Sequence, residues 1–264
     1  MLKAVIFDMD GVIYRGNTAI PGVPEEIRRL QKKMKVLFLT NNATKSRQDF
    51  VRHLSLFGIK ADRKDIMTSS YGTARYISDN YGKGKRIFLV GEEGMREELK
   101  VQAGAVLVEG AGAQFVVAGL DRNISYAKLE SAVQNILSGA KFILANSDPT
   151  YPTEKGVSPG SGAIAASIIY AIGKQPDVII GKPSTYLIDE LLREHKLKPK
   201  DAVFIGDRLE IDIAMANKAG MTSILVLTGI AKRADAKKAP KRHKPMSILH
   251  SAAEVGKALG IRLP

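Results

Sequence analysis

Apolar residues along the chain fall into short, β-branched runs separated by longer amphipathic stretches. The first run, Ala4-Val5-Ile6-Phe7, shows no polar alternation and reads as a strand buried on both faces. Val36–Leu39, Asp65–Thr68, Arg86–Val90, Val106–Val108, Phe115–Ala118, Lys141–Ala145, Val178–Ile180, Ala202–Ile205 and Thr222–Leu227 read in the same way, the last as the final clear strand. Helices are predicted over about 24–33, 46–57, 70–81, 92–101, 125–137, 161–172 and 184–195, and again up to about Ala219. Pro24 suits a first helical turn, Ser125 opens its helix, and Gly58 and Gly220 are natural stops. Gly11 and Gly16 frame a turn or small flap, and Asn146–Pro152 reads as a turn-rich loop. Strands alternating with helices predict an α/β fold with a parallel sheet and crossover helices.

The ends of these runs carry the chemistry. The first strand stops at Asp8-Met9-Asp10-Gly11. A carboxylate at the end of a buried strand loses much of its solvation, so something must stabilise the charge, and a divalent cation does so. Three further strand ends or loops carry polar groups: Thr40-Asn41-Asn42, Lys182 in Gly181-Lys182-Pro183, and Asp207 and Asp212 in Gly206-Asp207-Arg208-Leu209-Glu210-Ile211-Asp212. In a parallel sheet all strand carboxyl ends share one edge, where open α/β sheets bind ligands. Three acids can hold Mg²⁺, while a hydroxyl, amides and a lysine can bind phosphoryl oxygens. One acid is then left as nucleophile and another as proton donor, which is the equipment of phosphoryl transfer.

Composition narrows the classes. The 264 residues suit one domain with a sizeable insertion, or two modest domains. Without cysteine, disulfides, thiolate metal sites and cysteine catalysis are excluded. No signal peptide is visible, the apolar stretch near Gly162–Gly173 is too short to span a bilayer, and a cytoplasmic enzyme is expected. The formal net charge is +13. Much of the excess sits in Lys232, Arg233, Lys237, Lys238, Lys241, Arg242 and Lys244. That segment lacks aromatics and helical periodicity, and reads as a solvated loop rather than a nucleic-acid tail.

Asp-Met-Asp-Gly-Val-Ile-Tyr, Thr-Asn-Asn, Gly-Lys-Pro and Gly-Asp-Arg-Leu-Glu-Ile-Asp, in this order, resemble the haloacid dehalogenase superfamily. More narrowly they resemble its NagD-like, p-nitrophenyl phosphatase branch, which includes phosphoglycolate and pyridoxal phosphatases. The resemblance implies a Rossmann-like three-layer core, residues 1–81 and 178–264, with a large α/β cap inserted at 82–177 after the break Gly82-Lys83-Gly84-Lys85. It implies Asp8 as nucleophile, forming an aspartyl-phosphate, and Asp10 as the acid and base. Asp8, the main-chain carbonyl of Asp10 and Asp207 would bind Mg²⁺. Thr40 and Asn41, with Asn42 a weaker candidate, would hold the phosphoryl group. Lys182 would neutralise charge on nucleophile and phosphate, and Asp212 would orient Lys182 or metal-bound water. Tyr151, in the loop that reads the leaving group, falls where pyridoxal phosphatases carry histidine. The resemblance implies small phosphorylated metabolites as substrates, no membrane partner, and dimerisation through the cap.

Other readings of the same residues fare worse. Asp8 and Asp10 lack the spaced ligands and final Glu of a calcium loop, and Gly181-Lys182-Pro183 lacks the pattern of a P-loop. A dehalogenase needs neither the second Asp nor a metal, because halide leaves without a proton. A basic nucleic-acid-binding protein would have no use for the acids. The four histidines show no metal-ligand spacing and are assigned no chemistry.

Overall fold

A computed structural model describes residues 2–153 and 156–261. In chain order the strands and helices are β1 (Ala4–Phe7), β2 (Tyr14–Arg15), β3 (Thr18–Ala19), α1 (Val23–Gln31), β4 (Lys35–Thr40), α2 (Arg47–Leu56), β5 (Ile66–Thr68) and α3 (Ser69–Tyr81). Then come β6 (Arg86–Val90), α4 (Glu93–Ala103), β7 (Val106–Val108), β8 (Phe115–Ala118), α5 (Tyr126–Leu137), β9 (Lys141–Leu144), β10 (Thr150–Thr153), β11 (Gly156–Pro159) and α6 (Ser161–Ile172). The chain ends with β12 (Val178–Ile179), α7 (Tyr186–Glu194), β13 (Ala202–Gly206), α8 (Ala214–Lys218), β14 (Thr222–Val226), α9 (Arg233–Lys238), β15 (Ser247–Leu249) and α10 (Val255–Ala258). The fold is α/β, as the alternation predicts, and contacts divide it into two units. The first runs through Thr40, with Phe50–Met67 and the chain from Lys182 onward; the second comprises Asn41–Asp49 and Thr68–Gly181.

The first unit holds a six-stranded sheet in the order β15-β14-β13-β1-β4-β5. The central strand β1 runs parallel to both neighbours, with Phe7 beside Phe38 on β4 and Ile205 on β13. All four residues of β1 are fully buried, which is why its sequence is an unbroken apolar run. Helix α1 turns Val23, Ile27 and Leu30 into this core, at the spacing of one helical face, and leaves Glu25 and Arg28 outside. Each fully buried aliphatic or aromatic side chain contributes roughly 1.5–3 kcal/mol of transfer free energy. Glu26, on the inner face, is satisfied by accepting the Gly256 backbone N–H at 2.7 Å.

The second unit is built on a five-stranded sheet, β12-β9-β8-β6-β7, parallel throughout. Phe88, Val116, Phe142 and Leu144 from the sheet pack with Ala132 and Ile136 of α5 and with Ala165 and Ile168 of α6. Ser125 caps α5 by accepting the Lys128 N–H. Arg47 and Glu98 form a buried ion pair at 3.1 Å, and the Arg47 guanidinium lies 3.4 Å from the centre of the Tyr71 ring. Nothing in the spacing of these three residues announces that cluster.

Three local expectations are corrected. Asn146–Pro152 is not all loop: Thr150–Thr153 pairs antiparallel with Gly156–Pro159, and this hairpin carries Tyr151. Thr222–Leu227 is not the last strand, because β15 adds in parallel beyond β14, with Leu225 beside Ile248. The basic segment contains the short helix α9 rather than loop alone, although its seven Lys and Arg side chains are all exposed, as a solvated stretch requires. Ala236 is the one residue of α9 buried, enough to seat the helix without giving it a readable apolar stripe. No helix among the described residues is long and apolar enough to cross a membrane.

Candidate active site

Parallel register brings the ends of neighbouring strands to one edge of the first unit's sheet. Asp8 follows β1, Thr40 ends β4, and Asp207 follows β13. The Asp8 N–H donates to Ile205 O at 2.8 Å, so Asp8 is held as an extension of the ladder rather than in a free turn. Lys182 and Asp212 complete the group. The Lys182 ammonium donates to Asp8 Oδ1 and to Asp212 Oδ1, each at 2.7 Å. Asp8, Asp207 and Asp212 each offer a carboxylate oxygen within 4.8 Å of the others.

The roles of these acids are separated by their hydrogen bonds. Asp212 Oδ2 accepts the backbone N–H groups of Asp207 at 3.1 Å and Arg208 at 3.0 Å, in addition to the lysine on its other oxygen. Its charge is therefore neutralised and satisfied by protein. Gly206 makes the approach possible, since a Cβ there would sit 2.3 Å from Asp212 Cβ. Asp207 Oδ2 accepts the Ile230 N–H at 2.8 Å, but its Oδ1 is buried with no hydrogen-bond partner among the described residues. A buried carboxylate oxygen without a donor is costly unless a cation meets it.

Electrostatics point the same way. Asp8, Asp207 and Asp212 are 7%, 2% and 0% exposed, and one lysine, itself 2% exposed, faces them. Burial raises the Asp8 carboxyl to about 7 in spite of Lys182, with Asp212 adding to the rise. Burial, then the charges of Asp212 and Asp8, lifts Asp207 well above the ordinary carboxylate range. Burial alone would lower Lys182, but Asp212 and Asp8 outweigh it and hold the ammonium above its ordinary value. The cluster thus retains surplus negative charge, which it meets with an added proton or an added cation. Oxygen donors alone, at close range, suit a hard divalent ion such as Mg²⁺ or Ca²⁺.

The Asp10 side chain is half-buried and is not part of the carboxylate cluster. It sits in a tight turn in which the Gly11 N–H donates to Tyr14 O and the Ile13 N–H to Met9 O, each at 2.8 Å. Thr40 is buried at the end of β4. Asn41, Asn42 and Tyr151 belong to the second unit. There the Asn41 carboxamide donates to Asp148 Oδ2 at 3.1 Å, and Asn41 O accepts from Ser69 Oγ at 2.6 Å and from Asn146 Nδ2 at 2.8 Å. Asn42 Oδ1 accepts from the Thr44 N–H at 3.0 Å and its hydroxyl at 2.7 Å. Tyr151 is half-buried on β10. Sequence reasoning missed Asp148 as the partner of Asn41 and missed the loop at Thr228–Ile230 that fixes Asp207. The Asn-Ser-Asp spacing at 146–148 was a signal for the first, while the second left none.

Comparison with known proteins accounts for this arrangement. The family model for haloacid dehalogenase-like hydrolases matches residues 5–104, and a second, HAD-hydrolase-like, matches residues 179–255. The 5'-nucleotidase YutF of Bacillus subtilis is 33% identical over 232 residues, covering 88% of this chain and 89% of that protein. The chain belongs to the haloacid dehalogenase-like hydrolases. Among solved structures of the family, the p-nitrophenyl phosphatase from Archaeoglobus fulgidus superposes with a TM-score of 0.90 at 33% identity, over 97% of this chain and 99% of that one. The glycerol phosphate phosphatase from Mycobacterium tuberculosis, in complex with magnesium, gives a TM-score of 0.87 at 31% identity, over 95% of this chain and 75% of that one. Within the superfamily this chain is therefore of the NagD-like, p-nitrophenyl phosphatase type, a phosphoric monoester hydrolase.

Proposed function

We propose that this protein is a Mg²⁺-dependent phosphatase that hydrolyses small phosphate monoesters through an aspartyl-phosphate on Asp8. The observation that carries the reading is the buried trio Asp8, Asp207 and Asp212 around Lys182, with Asp207 Oδ1 left without a donor among the described residues. Asp8, the Asp10 main-chain carbonyl and Asp207 are the residues that would hold Mg²⁺. When bound, the ion supplies charge neutralisation for the nucleophile and the phosphoryl oxygens.

In the first step an Asp8 carboxylate oxygen forms the new bond to phosphorus as the ester P–O bond breaks. Asp10 gives its proton to the departing alkoxide oxygen. In the second step Asp10, now a carboxylate, takes a proton from water. The water oxygen bonds to phosphorus, and the Asp8–phosphorus bond breaks to release inorganic phosphate. General acid–base help of this kind is worth roughly 10²–10⁴-fold. Lys182, locked between Asp8 and Asp212, keeps the nucleophile in one rotamer and offsets charge on it. Thr40 and Asn41, with Asn42, are assigned to the phosphoryl oxygens. Residues 82–177 serve as the cap, the 146–152 segment with Tyr151 reading the leaving group, and the protein works in the cytoplasm as a homodimer joined through that cap.

The relatives' names cover nucleotides, p-nitrophenyl phosphate and glycerol phosphate, so the substrate class is a small phosphate monoester. The deciding experiment pairs Asp8→Asn with a panel of phosphometabolites. The variant should fold and lose p-nitrophenyl phosphate hydrolysis by at least about 10³-fold, as removal of a covalent nucleophile does. Undiminished turnover in the folded variant removes Asp8 from the mechanism.

A further inference from the structure

The loop after β14 lies in none of the motifs that carry the chemistry, yet it forms one wall of the acid cluster. Its Ile230 N–H donates to Asp207 Oδ2 at 2.8 Å, and its Ala231 N–H donates to the Asp207 main-chain oxygen at 3.0 Å. Between Thr228 and Ile230 the backbone runs so close to the carboxylate that a Cβ on Gly229 would stand 1.8 Å from Asp207 Oδ2. The loop therefore decides which way the Asp207 carboxylate faces. It engages Oδ2 and leaves Oδ1 as the oxygen without a donor among the described residues.

A main-chain loop orients a side chain only as well as it is itself held. Two ties hold this one, and both come from the segment just after β1. The Thr228 hydroxyl donates to Gly11 O at 2.7 Å across 217 positions of sequence. The Arg15 guanidinium donates to Thr228 O through Nε at 2.9 Å and again through Nη2. Gly11 closes the turn that carries Asp10, and Arg15 stands on the β2–β3 hairpin that continues it. One threonine thus links the turn bearing Asp10 to the loop that aims Asp207.

We infer that Thr228 is a positioning residue for metal binding, acting through the loop on Asp207, with Arg15 as its outer clamp. This rests on the reading of Asp207 as a metal ligand. Without the hydroxyl, Gly11 O loses a partner and the 228–230 loop loses its anchor. The Asp207 carboxylate can then rotate away from the direction in which its free oxygen meets a cation.

The test is Mn²⁺ binding to the metal-free, full-length protein, followed by calorimetry or by the free-ion magnetic resonance signal, so that no turnover is needed. Thr228→Val keeps the shape and removes the hydroxyl; it should raise the Mn²⁺ Kd by about tenfold, the scale of one buried hydrogen bond. Thr228→Ser restores the donor and should bind within about twofold of the parent. Arg15→Met, which cuts the exposed clamp without entering the core, should shift the Kd in the same direction as Thr228→Val and decides the matter if that variant does not fold. A folded Thr228→Val with the parent's Kd, or Thr228→Ser as weak as Thr228→Val, overturns the inference, as does an unchanged Kd in Arg15→Met where that variant decides alone. Asp207→Asn separates the two levels. If it still binds Mn²⁺ as the parent does, the metal assignment itself falls; if it loses binding while Thr228→Val keeps it, only the role of Thr228 falls.

Discussion

The ammonium of Lys182 stands 2.7 Å from Asp8 Oδ1, joining residues 174 positions apart in a buried ion pair. Its second contact, to Asp212 at the same distance, makes it the cation that two carboxylates share. Lys182→Met would leave those acids buried and facing each other. Breaking a buried pair in this way costs about 3–5 kcal/mol. The expected result is a lower melting temperature together with loss of p-nitrophenyl phosphate hydrolysis. A variant as stable as the parent would show that the pair is dispensable to the fold.

The raised carboxyl of Asp8 carries a definite pH dependence. Burial, opposed by Lys182 and reinforced by Asp212, takes it from 3.8 to about 7, and Asp207 moves in the same direction. An acid whose pKa is higher folded than unfolded binds more protons in the folded state between the two values. Its contribution to stability is therefore full below about pH 4 and is lost as pH rises through about 7. A divalent cation competes with those protons. In calorimetry, Mg²⁺ should raise the melting temperature more at about pH 8 than at about pH 5.5. Equal increments at the two pH values would contradict the cluster's role.

Chelation provides a separate check. Asp207 Oδ1 has no donor among the described residues, so the charge there calls for a cation. Thorough treatment with EDTA should abolish hydrolysis of p-nitrophenyl phosphate, and added Mg²⁺ should restore it. Activity that survives chelation would rule out the metal assignment.

Asp148 offers a test of the proposed role of Asn41 in holding the phosphoryl group. Its carboxylate only accepts, so the Asn41 carboxamide must turn its N–H₂ end toward it, at 3.1 Å. Asp148→Asn can donate as well as accept and frees the amide to turn. The KM for p-nitrophenyl phosphate should rise roughly tenfold, the scale of one charge-assisted hydrogen bond. In a double-mutant cycle with Asn41→Ala the two effects should not add, because one residue acts through the other. Additive effects would separate them.

Much of this was legible in the chain. Ala4–Phe7 reads as a doubly buried strand because nothing polar interrupts it, and Pro24, Gly58 and Ser125 mark helix ends by local backbone chemistry alone. Where local chemistry is ambiguous, pairing with a distant segment decides the element. Thr150–Thr153 carries a proline and turn formers, and becomes a strand only because Gly156–Pro159 pairs with it. Ser247–Leu249 is only three residues long and half-buried, and is a strand because β14 offers it an edge.

Residue type and near neighbours are enough to set the alternation of strand and helix and the kinds of groups placed at strand ends. How those groups divide the work depends on which distant segments fold against them. Asp207 and Asp212 are both buried acids five positions apart, and no local rule distinguishes them. Asp212 meets Lys182 and two backbone N–H groups, whereas Asp207 meets a loop arriving from β14 that satisfies one oxygen and leaves the other for a cation. That difference comes from partners far away in the chain, whose approach exists only once the sheet has brought its strand ends together.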